Sequence, residues 1–155
     1  MTTAFVLGNG ISRQGLPLDK IQNHGKVYGC NALYRDYTPD CLVATDKPIA
    51  TKIQESGYSM KHKFYTRKPI NDLGGHKLPD PYYGYSSGPA ALGLAVIDQP
   101  QTVYIIGFDM GPDKNKKINN LYVNTEFYRS SDHPPIYTGN WIRQMSSVFT
   151  DFPKI

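Results

Sequence analysis

The sequence lacks the features that mark membrane and secreted proteins. No apolar run approaches the roughly 18 residues that a membrane helix needs. The start, MTTAFVLGNG, carries no charged leader, and its apolar stretch is too short for a signal peptide. The two cysteines, Cys30 and Cys41, form no CxxC motif and lie in apolar runs, which favours buried free thiols. We therefore expect a soluble, cytoplasmic protein that does not contact a membrane.

The charge pattern gives no indication of nucleic-acid binding. The net charge is +4, from 17 Lys and Arg against 13 Asp and Glu. The basic residues are scattered, and there is neither a long basic run nor a known nucleic-acid motif. A solvated surface or an anionic small molecule accounts for this balance, so we expect no nucleic-acid partner.

Tyrosine is the one residue type in clear excess. There are 12 in a chain of 155 residues, a length that fits one domain, 1–155. Many of them lie in the second half of the chain. Because tyrosine combines an apolar ring with a hydroxyl that can bond phosphate or sugar, this half suits a polar ligand. Tyrosines also fill half-buried strands and loops, and this simpler explanation stays open.

Short apolar runs predict the strands of a buried sheet. AFVLGN (4–9), KVYGCN (26–31), CLVATD (41–46) and TVYIIGFD (102–109) are nearly continuous apolar runs, and KFYTRK (63–68) is a more polar fifth candidate near an edge. Helical patterns cover 46–57, 86–99 and 140–152. This alternation predicts one α/β domain with a Rossmann-like, doubly wound, mainly parallel sheet. Segments 69–85 and 110–138 are irregular; the second is a tyrosine-rich lid that can contain a hairpin at 119–128.

Each of the four apolar runs ends in a polar residue. These residues are Asn9, Asn31, Asp46 and Asp109. In an open parallel sheet, ligands bind beyond the carboxyl ends of the strands, at the switch point in strand order. We therefore predict that the four residues lie along one edge and face a ligand. The two aspartates could hold a divalent metal, bond ribose hydroxyls or fix loop amides.

The segment VLGNGIS (6–12) is predicted to be an anion-binding turn. Gly8 and Gly10 permit close approach of the backbone, and the amides of residues 10–12 with the Ser12 hydroxyl could form an anion-binding concavity. The segment is not a dinucleotide fingerprint, because Arg13 stands where GxGxxG needs a third glycine, and it is not a P-loop. A tight turn without a ligand explains the same residues.

The segment YSSGPAALG (85–93) offers a second anion site. Serines and free amides at the start of a helix face whatever lies beyond the sheet. Ordinary helix capping is the alternative explanation.

A histidine in the lid region is the candidate general base. His133, in RSSDHPPIY, follows an aspartate and has tyrosines nearby. Its near-neutral pKa suits activation of a hydroxyl. Loop histidines are also commonly structural, and His24 and His62 have the character of surface residues.

The order of these motifs resembles that of the bacterial CMP-sialic-acid sialyltransferases of glycosyltransferase family 42. VLGNGIS, YGCN, SSGPAALGLAV and VYIIGFDM are similar to that family's GNGPS turn, CN pair, TSG-type helix start and G-I-D-F strand end. PDCLVATD is similar to a segment of the related 6-hydroxymethylpterin diphosphokinase-like family. Ile11 departs from the family's proline, and the chain is shorter than a full sialyltransferase. Compact versions of this core resemble phage-encoded proteins, which would act in the host cytoplasm.

The resemblance implies roles for particular residues. His133 would be the base that deprotonates the acceptor, and Tyr128 and Tyr137 would be lid tyrosines that hold phosphate. The positions that match nucleotide-binding residues are Asn9, Asn31, Ser87, Gly88, Gly107 and Asp109.

Three functions remain open at this point. The first is a small glycosyltransferase for a CMP-type nucleotide sugar, with no metal cofactor and His133 as base. The second is Mg²⁺-dependent diphosphate transfer, with the metal placed by Asp46 and Asp109. The third is a non-catalytic protein that binds a nucleotide or a protein partner. A homo-oligomer that completes the site from a neighbouring chain is compatible with the first.

Overall fold

The computed structural model describes residues 2–112, 114–115, 117–128 and 138–155. The strands in this part of the chain are β1 (Thr3–Leu7), β2 (Lys26–Cys30), β3 (Cys41–Val43), β4 (Phe64–Thr66), β5 (His76–Lys77) and β6 (Thr102–Ile106). The helices are α1 (Leu18–Ile21), α2 (Lys47–Glu55), α3 (Tyr58–Lys61), α4 (Ser87–Ile97) and α5 (Gly139–Asp151). Short 3₁₀ turns cover Ile11–Arg13, Asn31–Arg35 and Tyr82–Gly84.

The six strands form one sheet in the order β5-β4-β3-β2-β1-β6, and all neighbours are parallel. The chain places β1 to β5 side by side in one direction and then returns to place β6 on the other side of β1. The switch point in strand order therefore lies between β1 and β6. Helices cover both faces, and the predicted Rossmann-like α/β fold is confirmed.

The strands alternate their side chains between two apolar cores. On one face, Val6 and Val43 pack in the core that includes α4 and α5. On the other face, Leu7 and Leu42 pack in the core that includes α2 and the 3₁₀ turn Asn31–Arg35. Because the central strands are buried on both faces, their sequences are continuous apolar runs instead of alternating ones.

The two long helices on the first face differ in how far they are buried. Nine of the eleven residues of α4 are buried, as its uniformly apolar sequence predicts. Helix α5 buries only Met145 and Val148. Ile142 and Phe149, beside this buried stripe, are exposed. No helix in the described part of the chain is long and apolar enough to span a bilayer.

Two expectations about secondary structure are corrected. The predicted hairpin at 119–128 is wrong, because the chain forms turns and no strand between residues 117 and 128. Tyr122 and Tyr128 both pack in the α2-side core instead of alternating across a hairpin. Strand β5 falls within the segment 69–85 that was predicted to be irregular. It is fixed by its pairing with β4, in which His76 lies opposite Tyr65, and not by a residue pattern of its own.

The two cysteines are free and buried, as predicted. Burial raises the pKa of both Cys30 and Cys41 to about 12. Both thiols therefore stay protonated near neutral pH, and neither is an activated nucleophile.

Candidate functional site

The four polar residues predicted at the strand ends lie along one edge of the sheet. Asn9, Asn31, Asp46 and Asp109 come shortly after β1, β2, β3 and β6, which are parallel neighbours in the order β3-β2-β1-β6. They do not form one cluster. Strands β3 and β6 are three spacings apart, roughly 14 Å at about 4.8 Å each. The ends of β2 and β1 lie between the strand ends that Asp46 and Asp109 follow, and no group of three His, Cys, Asp or Glu in the described residues is placed to hold a metal ion.

The glycines at the switch point serve the contact between β1 and β6. The Gly8 amide donates to the Ile106 carbonyl at 2.8 Å. A Cβ on Gly8 would lie 2.5 Å from the Gly107 carbonyl oxygen, and a Cβ on Gly107, whose φ is +80°, would lie 2.6 Å from the Gly8 carbonyl oxygen. The close backbone approach that the sequence predicts is thus an approach between two segments of this chain.

The predicted anion-binding concavity at residues 10–12 is filled by groups of the protein itself. The Gly10 amide donates to the Gly107 carbonyl at 2.8 Å. The Ile11 amide donates to Oδ1 of Asn119 at 2.8 Å, and the Ser12 amide donates to Oδ2 of Asp109 at 3.0 Å. The Ser12 hydroxyl donates to the other carboxylate oxygen of Asp109. A carboxylate of the chain therefore occupies the place where a bound anion was expected.

Arg13 fixes the side chain of Asn9, which the sequence predicted to face a ligand. Arg13 is only 7% exposed, and its Nε donates to the Gly8 carbonyl at 2.7 Å. One terminal guanidinium nitrogen donates to Oδ1 of Asn9 at 2.9 Å. Nδ2 of Asn9 donates to the Cys30 carbonyl at 3.1 Å. Both ends of the Asn9 amide are thus bonded inside the protein.

The Arg13 guanidinium also connects the turn at residues 10–12 to the lid region (110–138). It donates to the Tyr122 hydroxyl at 3.3 Å, and that hydroxyl donates to Oδ2 of Asp36 at 2.7 Å. Burial and the hydrogen bond to Asp36 raise the pKa of Tyr122 to about 12. The neutral Tyr122 hydroxyl is therefore bonded to both the buried Arg13 guanidinium and the Asp36 carboxylate. This relay of two hydrogen bonds joins three separate segments of the chain.

The start of α4 is likewise engaged within the fold. The Ser87 hydroxyl accepts the Thr45 amide at 2.9 Å and bonds the Thr45 hydroxyl at 3.0 Å. A Cβ on Gly88 would lie 2.7 Å from the Phe108 ring, so glycine allows the ring to pack there. Ser87 and Gly88 thus lock the helix to the end of β3 and to the segment after β6.

A cleft of about 680 Å³ opens at the carboxyl ends of β2, β3 and β4. It lies beside α2, and only β1 separates its nearest strand, β2, from the switch point where the strand-order rule places a ligand. Of the predicted site residues, Asn31, Asp46 and Tyr128 line it. The other polar side chains of its wall are Thr45, Lys47, Thr51, Gln54, Thr66, Arg67 and Lys68.

Asn31 is the unusual residue of this cleft. Its backbone is left-handed, with φ of +54°, a conformation that few residues other than glycine adopt. Its Oδ1 atom is buried and has no hydrogen-bond partner in the structure. A buried acceptor without a partner costs about 1–3 kcal/mol. A strained backbone and an unpaired acceptor on a cleft wall are typical of a residue kept for a ligand.

Three cations and one carboxylate surround the same cleft. Lys47 and Lys68 are exposed, and neither forms an ion pair with a described carboxylate. Arg67 is held in place, since its Nε donates to the Tyr83 carbonyl at 3.0 Å and a terminal nitrogen donates to the Tyr85 carbonyl at 2.9 Å. Asp46 begins α2 but makes no capping hydrogen bond. The field in the cleft is therefore positive and suits an anion.

Tyr128 is held on the far wall by a second arginine. The Arg35 guanidinium carbon lies 5.9 Å from the ring centres of both Tyr122 and Tyr128. Arg35 also donates to the Thr125 hydroxyl and to the Glu126 carbonyl, each at 2.9 Å. The Tyr128 hydroxyl accepts the Ala32 amide at 3.2 Å, and burial raises the pKa of that hydroxyl well above its ordinary value. Tyr128 therefore keeps its own proton to donate.

Two predicted residues lie outside the described part of the chain. These are His133, the predicted base, and Tyr137, the second lid tyrosine. His76, in β5, lines a separate cavity of about 440 Å³ on the α4 face of the sheet. His24 and His62 are exposed, as predicted.

The sequence analysis missed the cations of the cleft. Arg67 and Lys68 follow β4 in the way that the polar residues follow the other strands. The rule of polar residues at strand ends, extended to KFYTRK, would have placed them at this edge.

No family model matches this chain, and neither a curated protein nor a solved structure gave a match.

Proposed function

We propose that this chain binds a nucleotide or nucleotide sugar in the cleft at the ends of β2, β3 and β4, and that it acts as a small, sialyltransferase-like glycosyltransferase. The observation that supports binding most strongly is the buried, unpartnered amide oxygen of Asn31 on the wall of a cationic cleft. A nucleotide carries a group for each of these two features of the cleft. The base supplies an N–H donor for the unpaired oxygen of Asn31, and the phosphate supplies anionic oxygens for Arg67 and the lysines.

The unpaired acceptor favours a base with an exocyclic amine. Where position 4 of the pyrimidine ring faces Asn31, cytosine presents an N4 amine that donates, whereas uracil presents an O4 atom that only accepts and carries its N–H donor one ring position away, at N3. A site whose buried acceptor needs a donor rejects an analogue that lacks it, because the acceptor is left unpaired again. Cytidine nucleotides therefore fit Asn31 better than uridine nucleotides do, in agreement with the CMP-type ligand that the resemblance implies.

The proposed transfer uses the cleft as the site of the leaving group. The acceptor hydroxyl attacks the anomeric carbon of the sugar as the bond from that carbon to the phosphate oxygen breaks, and His133 takes the proton of the hydroxyl. Arg67 and Lys68 balance the charge that the departing phosphate gains, and the Tyr128 hydroxyl donates to it. The role of His133 rests on its residue type and position in the sequence and on the resemblance.

Binding without catalysis is the second candidate, and one observation favours it. The described lining of the cleft contains no histidine or cysteine, and Asp46 is its only carboxylate. If His133 does not reach the ligand, this lining captures a nucleotide but has no evident base other than Asp46.

The first experiment compares binding of CMP, UMP and CMP-sialic acid by calorimetry and thermal shift, with Mg²⁺ and with EDTA. We expect metal-independent stabilisation by the cytidine compounds, about 2.7 kcal/mol when the ligand is at 100 times its dissociation constant. An absence of binding to any nucleotide would refute the proposal. Strict dependence on Mg²⁺ would favour diphosphate transfer instead.

The variant Asn31→Gly tests the observation itself. Glycine accepts the left-handed backbone and removes only the amide, so we expect a stable protein that no longer prefers CMP over UMP. Gln99→Gly is the matched control, because Gln99 has the same φ of +54° and is an exposed residue just after α4 that does not line the cleft. An unchanged preference in Asn31→Gly would remove Asn31 from the site.

For catalysis, His133→Ala should abolish transfer and keep nucleotide binding, and full activity in that variant would leave only the binding function.

A further inference from the structure

The outer edge of β6 is an apolar edge without the usual protection. Strand β6 is the last in the sheet order, and no described strand pairs with its outer side. Its sequence, TVYII, has no charge and no proline. Tyr104 is 53% exposed and Ile105 is 36% exposed. Edge strands normally carry charges, prolines or bulges that prevent pairing with another chain. The absence of these features from β6 indicates that another chain covers its edge in the functional protein.

Two residues of β6 direct their backbone N–H and C=O groups away from β1. The Thr102 amide donates to the Thr2 carbonyl, and the Ile106 carbonyl accepts the Gly8 amide, so both residues direct their polar groups toward the β1 side of the strand. Because these groups alternate along a strand, Tyr104 also faces β1, while Val103 and Ile105 direct their N–H and C=O groups outward. Four polar backbone groups of this edge are therefore available to a partner strand.

We propose that β6 pairs antiparallel with β6 of a second copy of this chain, about a two-fold axis at Tyr104. In this register, Val103 of each copy lies opposite Ile105 of the other. Such a pair exchanges both N–H···O=C bonds, so all four outward groups of each strand are satisfied. The two sheets, each with six strands in the same order, join into one continuous sheet. The arrangement is closed, because a two-fold contact uses the same patch on both copies.

The side chains are self-complementary in the same register. On the α5 face, Val103 meets Ile105, since Val103 belongs to the core that contains α5. On the opposite face, Tyr104 meets Tyr104 and Thr102 meets Ile106. β-Branched and aromatic pairs of this kind stabilise antiparallel strands. No like charges meet at the strands, although the chain as a whole carries a net charge of +4.

Helix α5 adds apolar surface on the same face of the joined sheet. Ile142 and Phe149 are seven residues apart, on one side of the helix, and they are 48% and 50% exposed. A charged partner would find no charge on β6 to recognise. The edge matches a second copy of itself in hydrogen bonding, in the apolar side chains that meet across the axis and in the absence of charge, and this match is why we choose the second copy as its occupant.

Light scattering and sedimentation of the purified full chain over a range of concentrations test the proposal. We expect a mass twice the 17.4 kDa of one chain. Tyr104→Lys and Tyr104→Glu each place two like charges across the axis, and each should be monomeric. A mixture of the two should restore the dimer, because lysine then faces glutamate. Met60→Lys is the matched control: Met60 is 63% exposed on α3, and this variant should stay dimeric.

Three results would overturn the proposal. The first is a wild-type chain that is monomeric at every concentration, which would leave the edge to a different protein. The second is a dimer that persists in both Tyr104 variants. The third is the formation of open-ended aggregates in place of a particle of defined mass. If Tyr104→Lys does not fold because its stacking on Phe5 is lost, Ile105→Lys gives the same test from the other face. Hydrogen exchange that is slow at the amides of Val103 and Ile105 in the wild type, and fast in the monomeric variants, would place the contact at β6.

Discussion

The backbone amide of Ser12 donates to the carboxylate of Asp109 at 3.0 Å, although 97 residues of chain separate them. The Ser12 hydroxyl donates to the other oxygen of the same carboxylate. In a dinucleotide-binding turn, the anion at this position is a phosphate of the ligand. Here the anion belongs to the chain, so the turn is completed internally, and the unsatisfied acceptor is that of Asn31, at the end of the neighbouring strand β2.

Removal of the Asp109 carboxylate should therefore affect stability and leave nucleotide binding unchanged. Asp109→Ala removes the acceptor of two Ser12 donors. Because Ser12 is exposed and water can partly replace the carboxylate, we expect a loss of about 0.5–1.5 kcal/mol in the free energy of unfolding. Asp109 does not line the cleft, so the dissociation constant for the nucleotide should stay the same. Urea unfolding and calorimetry measure the two quantities.

Asp151→Ala is the control for this experiment, because Asp151 is exposed at the end of α5 and does not line the cleft. It should change the free energy of unfolding by less than about 0.5 kcal/mol. Weaker nucleotide binding in Asp109→Ala, with the fold intact, would return the ligand to the switch point between β1 and β6.

Asn9 and Asn31 show how much of the site follows from the sequence. Both follow buried strands, and parallel strands place both at one edge, so their location was predictable. The hydrogen-bond partners of the two side chains, which differ, were not predictable. Asn9 is bonded by Arg13, a residue that the motif comparison registered only as a departure from GxGxxG. Asn31 has an unpaired Oδ1 atom and a left-handed backbone, and no local pattern in the sequence indicates either. The cleft also depends on Arg67, and its guanidinium is positioned by carbonyls in a segment without periodicity.

The relay through Tyr122 should make a measurable contribution to stability. Tyr122→Phe removes the hydroxyl that receives a hydrogen bond from Arg13 and donates one to Asp36. Because the site is buried, the two partners lose a bond that water replaces poorly, and we expect a loss of about 1–3 kcal/mol in urea unfolding. Tyr37→Phe removes an exposed hydroxyl bonded to Gln22 and should lose less than about 0.5 kcal/mol. Equal losses in the two variants would mean that the relay is not a stabilising element.

Stability should fall steeply in alkaline solution. Burial raises the pKa of Cys30, Cys41 and Tyr58 to about 12, and burial with the Asp36 bond does the same for Tyr122. In the unfolded chain, thiols ionise near pH 8.5 and phenols near pH 10. The unfolded state thus releases protons first, so the stability from these groups is complete below about pH 8.5 and is lost as the pH rises toward 12.

Denaturant unfolding of the wild type and Tyr58→Phe between pH 8 and 11 checks this expectation. The Tyr58 hydroxyl is buried without a hydrogen-bond partner, so its removal should not destabilise the protein at pH 8. The same change should reduce the loss of stability above pH 10, because one group with a raised pKa is gone. A profile that is flat from pH 8 to 11 in the wild type would show that these groups ionise as freely in the folded chain as in the unfolded one.

The cationic side of the cleft gives the most direct test of which part of a nucleotide it holds. Lys68→Ala removes a cation from the wall, and Lys52→Ala removes an exposed cation of α2 that does not line the cleft. We expect Lys68→Ala to weaken CMP binding about fivefold and to leave cytidine, which lacks the phosphate, unaffected. Lys52→Ala should change neither. Raising the salt concentration should weaken CMP binding more in the wild type than in Lys68→Ala, because screening acts on a charge that the variant no longer has. If Lys52→Ala and Lys68→Ala weaken CMP binding equally, the attraction comes from the net positive charge of the protein, and the phosphate is not held at the end of β4.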